Sequence, residues 1–316
     1  MVIYALLSQY LAEPLAIIMN NSLHQRVFPQ EWKEGIAISI PKTKPPELDK
    51  LRFVTLLPAP SKIMEKILLK KIWPFFSPSY GPEQHGFRSC SSTTTALTQL
   101  MDDATRIFDD SSNSGMAILS FDMSRAFDCL DHKIICRVLM HNNFPAGFVL
   151  WLKSYLCDRT VRARLGGILS KNVNVLRGVP QGSVLGPPLF CTYTGDMKGL
   201  HEEVHTMKYA DDISLIIPLK KESRILQQKR IEDEIDNVAT QSSMLGLQLN
   251  RSKSKAMLVT RSNQMRSLSL SIPTTSSMKI LGVMINARLD WSDHISYVGK
   301  KSNQRLHLLR KLRPLI

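Results

Sequence analysis

Met207-Lys-Tyr-Ala-Asp-Asp-Ile-Ser-Leu-Ile-Ile217 reads as a strand, a tight turn and a second strand, with two adjacent acids at the tip. Side chains alternate faces along a strand, so Met207 and Tyr209 share one face and Asp211 is expected to continue it. Two neighbouring carboxylates repel each other unless a cation sits with them. By itself such a pair is often only a solvated hairpin turn. A third acid changes the reading. Met116-Ala-Ile-Leu-Ser-Phe-Asp122 reads as a buried strand ending in a carboxylate, rigidly held yet able to reach a cleft. With Asp122 beside the Asp211-Asp212 tip, the chain has an all-oxygen site suited to Mg²⁺. Two such ions about 3.5–4 Å apart are the usual apparatus of in-line phosphoryl transfer.

Working outward, helical periodicity runs through Ser61–Phe75, Thr93–Phe108, His132–Asn142 and Lys221–Leu245. Ser124–Cys129 reads as a turn into helix, and Asp131 is placed to cap the helix that starts at His132. Short apolar strands are expected at Gly35–Ile40, Met116–Asp122, Met207–Tyr209, Ile213–Pro218, Ser254–Thr260 and Lys279–Ile285. The regular alternation of a parallel βαβ array is missing, so the pattern indicates an α+β fold with an antiparallel sheet backed by helices. Ile3, Leu6, Leu7, Tyr10 and Leu11 fall at helical spacing, as in an amphipathic helix. Pro41–Pro46, rich in Pro and Lys, reads as an exposed loop. Ser296–Leu312 is basic and helical.

The 316 residues carry 41 Lys plus Arg against 27 Asp plus Glu, a net charge of +14 that favours polyanionic partners and salt-dependent binding. Cys90, Cys129, Cys136, Cys157 and Cys191 form no CxxC pair and no zinc spacing, and read as buried, reduced thiols of an intracellular protein. The apolar N-terminus lacks a basic n-region and is interrupted by Gln9, Glu13 and Pro14, unlike a targeting segment. No apolar run reaches the roughly 18 residues of a membrane span.

Arg177-Gly-Val-Pro-Gln-Gly-Ser-Val-Leu-Gly-Pro-Pro-Leu-Phe190 opens with turn residues and passes into an apolar stretch. Gly178 and Gly182 let the backbone approach a ligand closely, and Gln181 offers an amide between them. Phe121-Asp-Met-Ser-Arg-Ala-Phe-Asp128, Gly178-Val-Pro-Gln-Gly-Ser-Val-Leu-Gly186 and Tyr209-Ala-Asp-Asp212 occur in that order. Together they resemble the reverse transcriptase domain of non-LTR (LINE-type) retrotransposons. The resemblance extends through Phe28–Lys33, Leu56–Ile67, Gln84–Arg88, Gly246–Lys253 and Leu281–Ile285, followed by Leu289–Ile295, and so covers about residues 15 to 312.

The resemblance implies a right-hand polymerase with helical fingers, an antiparallel palm sheet and a truncated thumb. Fingers are expected at roughly 1–114 and 132–181, palm at roughly 115–131 and 182–295, and the start of the thumb at 296–316. Asp122, Asp211 and Asp212 become ligands of two Mg²⁺ ions, with Mn²⁺ as a substitute and the Met123 carbonyl as a helper. Phe127 becomes the steric gate against a ribose 2′-OH, and Arg88 a contact of the incoming triphosphate. Gln181 and Gly182, with Tyr209, line the nucleotide and template site. Lys253 becomes the proton donor to departing pyrophosphate, with Lys255 as a rival. The implied reaction is RNA-directed DNA synthesis from a primer 3′-OH, with an RNA template, a DNA primer or target and dNTPs as partners. Nuclear action follows from the family, and no membrane partner is expected.

Departures accompany the likeness. An Arg-Pro-Ile-like segment is replaced by Arg52-Phe-Val54. The upstream endonuclease and downstream cysteine-rich segment of such elements are not in the chain, so a separately encoded endonuclease is a candidate partner. The competing reading is a non-catalytic nucleic-acid-binding remnant. An RNA-copying RNA polymerase is disfavoured by the bulk of Phe127. His201-Glu-Glu-Val-His205 matches the H-E-x-x-H pattern of zinc proteases, but too little room remains before the next strand for a zinc-binding helix, so it reads as a chance match. No P-loop pattern occurs.

Overall fold

The computed structural model describes residues 8–41, 51–165, 167–260 and 268–312. Ile3, Leu6, Leu7 and most of the Pro41–Pro46 loop lie outside them. The chain divides into two compact units, one built from Met1–Pro82, Arg125–Asp196 and Met244–Leu247, the other from Glu83–Ser124, Met197–Ser243 and Gln248–Ile316.

In the first unit the strands Leu51–Leu56, Glu34–Pro41, Arg159–Leu165 and Ile168–Leu169 lie side by side, with Val173–Val175 also pairing Arg159–Leu165. Glu34–Pro41 runs antiparallel to Leu51–Leu56 but parallel to Arg159–Leu165. Its core is aromatic. Phe28 meets Trp151 and Tyr155 edge-on at 5.5 and 5.0 Å, and Phe76 meets Phe144 at 4.9 Å. The helix expected to end at Phe75 continues to Ser79 through Pro74 and Pro78. Each proline removes one helical hydrogen bond. The last turn is held instead by buried Phe76 and by Ser79, whose hydroxyl donates to the Phe76 carbonyl (2.8 Å) and lies 2.7 Å from the Thr192 hydroxyl.

The second unit is organised by a four-stranded antiparallel sheet in the order Lys255–Thr260, Asn113–Phe121, Asp212–Lys220, His205–Tyr209. The helix Thr93–Asp109 lies against it, started by a capping box in which the Thr95 N–H donates to Ser92 Oγ (3.3 Å) and the Ser92 N–H to Thr95 Oγ1 (2.9 Å). Ala96, Leu100, Ala104 and Ile107 fall on one helical stripe and pack with Met116, Ile118, Met207, Ile216, Met257 and Val259. Burying a side chain such as Leu100 contributes about 1.5–3 kcal/mol. Ala117, Leu119, Leu215 and Ile217, which alternation turns to the opposite face, are also buried. That double burial explains why the strands read as nearly continuous apolar runs.

The single strand expected over Lys279–Ile285 is a hairpin of Ser277–Ile280 and Val283–Asn286. Its two-residue turn is Leu281 and Gly282, both at positive φ (46° and 93°), the backbone that two-residue hairpin loops favour. A leucine in that position hid the turn within an apolar run. None of the five cysteines forms a disulfide, but only Cys191 is buried and Cys90 is exposed, so the expectation of buried thiols fails for the rest.

Candidate active site

The sheet register ends two paired strands beside two of the acids. Asn113–Phe121 and Asp212–Lys220 pair antiparallel, ending with Phe121 opposite Ile213. The next residues along the two strands are Asp122 and Asp212, and Asp122 lies near enough to act electrostatically on the Asp212 carboxyl. Tyr209 pairs with Asp212, which leaves Ala210 and Asp211 as the turn of the hairpin. Asp211 therefore lies in the turn and does not continue the face of Met207 and Tyr209 as expected. Turn formation requires a left-handed residue there, and Ala210 takes it with φ 58°.

The electrostatics agree with this placement. The Asp212 carboxyl is raised from 3.8 to about 6, first by loss of bulk water around it and then by Asp211 and Asp122. Asp212 remains open to solvent by surface area, so the desolvation comes from protein mass beside it rather than from enclosure. The upward direction is firm because all three causes act in the same sense. Among the described residues no lysine or arginine forms an ion pair with any of the three acids. A hard divalent cation is the chemical complement of such a donor set. Among the described residues no three metal-binding side chains converge on one point.

One turn clamps the first acid. The Asn250 N–H donates to the Asp122 carbonyl (2.8 Å), and the Asp122 N–H donates to Ser254 Oγ (3.2 Å). Lys253 belongs to that turn, its N–H directed to Asn250 and its side chain exposed. Met123 is nearly buried, and its sulfur accepts from Ser242 Oγ at 3.6 Å. Arg88 is half-buried.

A second support was not read from the sequence. Gln84 Oε1 accepts the N–H of Gly86 (2.7 Å) and of Ala210 (3.0 Å). Gln84 forms an isolated parallel bridge with Lys208, in which the Lys208 N–H donates to the Glu83 carbonyl and the His85 N–H to the Lys208 carbonyl, each at 2.9 Å. The segment Gln84–Arg88 was singled out, but only for its arginine; a contact spanning 126 residues leaves no local signal.

The remaining candidates fall in the first unit. Phe127 sits in the short helix Ala126–Cys129, half-buried, its ring 4.5 Å from that of Phe190. Gln181 donates from Nε2 to Asp128 (3.0 Å), and its carbonyl accepts the Thr55 N–H (2.7 Å). Gly178 and Gly182 have φ of 83° and 117°. A Cβ at Gly178 would meet the Asp128 carbonyl at 2.7 Å, and one at Gly182 the Thr55 carbonyl at 2.7 Å. The close approach at both glycines is thus to the chain's own backbone. Buried Glu65 holds the end of this loop, accepting the N–H groups of Val184 (2.6 Å) and Leu185 (3.2 Å) and the Ser61 hydroxyl (3.0 Å).

His201 and His205 are not on a helix. His201 Nδ1 contacts Glu234 (2.7 Å) and His205 Nδ1 contacts Asp103 (3.2 Å), which commits each imidazole to a different acid. A cavity of about 450 Å³ lined by Thr274, Asn286, Arg288 and Asp293 includes none of the three acids.

Residues 40–285 match the family described as reverse transcriptase (RNA-dependent DNA polymerase). The chain belongs to the reverse transcriptase family. Among similar proteins is the probable RNA-directed DNA polymerase from transposon X-element of Drosophila melanogaster, 28% identical over 89% of this chain and 32% of that protein. The RNA-directed DNA polymerase from mobile element jockey of the same organism is 28% identical over 90% of this chain and 32% of its own length. This reverse transcriptase chain thus spans about a third of the curated relatives it matches. Both belong to mobile elements, in keeping with the non-LTR likeness of the motifs. Apo telomerase from Candida tropicalis, truncated from its C-terminal domain, shares the fold with a TM-score of 0.54 at 13% identity, covering 84% of this chain and 55% of that one. The α+β polymerase fold expected from the motifs stands. No helix among the described residues is long and apolar enough to cross a membrane.

Proposed function

We propose that this chain copies an RNA template into DNA, adding deoxynucleotides from dNTPs to a primer 3′-OH. The observation that carries the reading is the gathering of like charge at Asp212, whose carboxyl is raised by both Asp211 in the hairpin turn and Asp122 beyond the paired strand end at Phe121. In this reading the three acids belong to the palm, at roughly 115–131 and 182–295. The three carboxylates, helped by the Met123 carbonyl, would hold two Mg²⁺ ions, or Mn²⁺ in their place. Bound there, the metals would supply activation of the hydroxyl and charge neutralisation on the triphosphate.

The chain's own residues do the rest. Asp212, strained by two like-charged neighbours, gains most from a shared cation. Arg88 provides a fork of donors that cannot lose its charge and so suits the triphosphate. Lys253, exposed on the turn that clamps Asp122, is available to give a proton to departing pyrophosphate. In the first unit, Gln181 and Gly182 would contact nucleotide or template and Phe127 would exclude a ribose 2′-OH by bulk; in the second, Tyr209 would contact the substrate. The basic surface would hold template and primer.

Primer extension on an RNA template with dNTPs and Mg²⁺ tests the reading, comparing wild type with Asp211→Asn/Asp212→Asn. Extension by wild type alone supports it. Equal extension by both removes the acids from the metal site, and none by either, with template binding retained, favours a binding remnant.

A further inference from the structure

We infer that Gln84 is a positioning residue for the Asp211-Asp212 turn, its side-chain carbonyl locking Ala210 in the left-handed conformation from which the backbone enters Asp211. The inference rests on the proposed role of the two acids.

Three observations carry it. Ala210 is one of few non-glycine residues at positive φ, a backbone that an alanine adopts only when its surroundings impose it. Gln84 imposes it: one oxygen, 1% exposed with its residue, accepts the N–H of Gly86 and of Ala210 at once. Because two N–H groups converge on that atom, it is the oxygen of the amide. The space is then closed by Gly86, where a Cβ would stand 2.3 Å from the Ala210 nitrogen and 2.9 Å from Gln84 Oε1.

The amide itself points to function. Its Nε2 is buried with no partner among the described residues, a cost that native proteins seldom leave uncorrected. A glutamate would accept the same two N–H groups and orphan nothing. It would also bring a fourth negative charge to a turn already carrying Asp211 and Asp212 beside Asp122. Glutamine supplies the acceptor without the charge, and the unpaired donor is the consequence of that compromise. A residue selected for packing alone has no reason to be an amide here.

The test uses the full chain and three readouts. Amide exchange on wild type is expected to show strong protection of the Ala210 N–H; exchange at the unprotected rate overturns the inference without any variant. Gln84→Met, of similar length but with no acceptor, is expected to lower kcat about 100-fold with the dNTP KM unchanged, as misplacement of a reacting group does. It should also weaken Mn²⁺ binding measured by electron paramagnetic resonance in the absence of substrate. Adding Ala210→Gly should restore at least about tenfold of the lost kcat, because glycine adopts the left-handed conformation freely. Undiminished kcat in Gln84→Met, or no recovery in the double variant, overturns the inference. If Gln84→Met does not fold, the exchange measurement on wild type decides. If wild type extends no primer, the polymerase reading fails, while Ala210 protection and Mn²⁺ affinity still judge Gln84.

Discussion

The N–H of Asp122 donates to Ser254 Oγ at 3.2 Å, so the first acid is fixed through its main chain by a side chain that is itself fully buried. Ser254→Ala leaves that N–H without its acceptor. The expected cost is about 1–2 kcal/mol, read as a lower urea midpoint with unchanged slope. An unaltered midpoint would show that the hydroxyl does not hold the acid.

Asp212 makes the metal-free protein sensitive to pH. Its carboxyl ionises at about 6 when folded, above the ordinary 3.8, so between these values the folded state holds a proton that the unfolded chain has lost. Stability from this group is therefore full at low pH and falls as pH rises through the window. Asp212→Asn removes the penalty. In a chelator its Tm should exceed that of wild type at about pH 7.5 and match it near pH 4. Calorimetric scans at the two pH values check this, and an equal gain at both would refute the assignment.

Glu65 is fully buried and satisfies two main-chain N–H groups of the Gly178–Gly186 loop. It also faces Arg159, whose guanidinium is pulled down by desolvation and sustained by Tyr155 and Glu65. Removing the carboxylate orphans the two N–H groups of the loop and takes away part of the electrostatic support of Arg159. Glu65→Ala should cost about 3–5 kcal/mol, and Glu65→Gln clearly less, in equilibrium denaturation. Similar losses in both would mean that packing, and not charge, is what Glu65 provides.

Phe127 leans on Phe190 at 4.5 Å yet stays half exposed, the posture of a ring braced on one face and presented on the other. Phe127→Ala is expected to lower discrimination against ribonucleotides by at least about tenfold, or about 1.4 kcal/mol. Competitive incorporation of a matched dNTP and rNTP pair measures it. Unchanged sugar selectivity removes Phe127 from the gate.

The elements with strong local signals were legible. Thr93 opens its helix where Ser92 caps it, and Asp131 caps the next, accepting from Lys133 and Ile134. The strands carrying Asp122 and Asp212 were visible as apolar runs because both faces of their sheet are buried. What escaped depends on distant partners. Arg159–Leu165, half polar and exposed at one end, is a strand because Glu34–Pro41 lies beside it. Gly178 and Gly182 announced a close approach, but not that the neighbour would be the Asp128 and Thr55 backbone. Gln84 was invisible as a support, since an amide in a loop gives no hint of the turn it holds.

The clamp on Asp122 also has a history in time. Ser254 follows Asp122 by 132 residues. At a synthesis rate of roughly 5–20 residues per second, the acid leaves the ribosome about 7–26 s before the hydroxyl that fixes it. Throughout that interval the nascent chain has the strand of the first carboxylate but not the turn that anchors it. The first acid is therefore anchored only after Asp212–Lys220, which pairs with the strand leading into it, and the turn carrying Ser254 have been made.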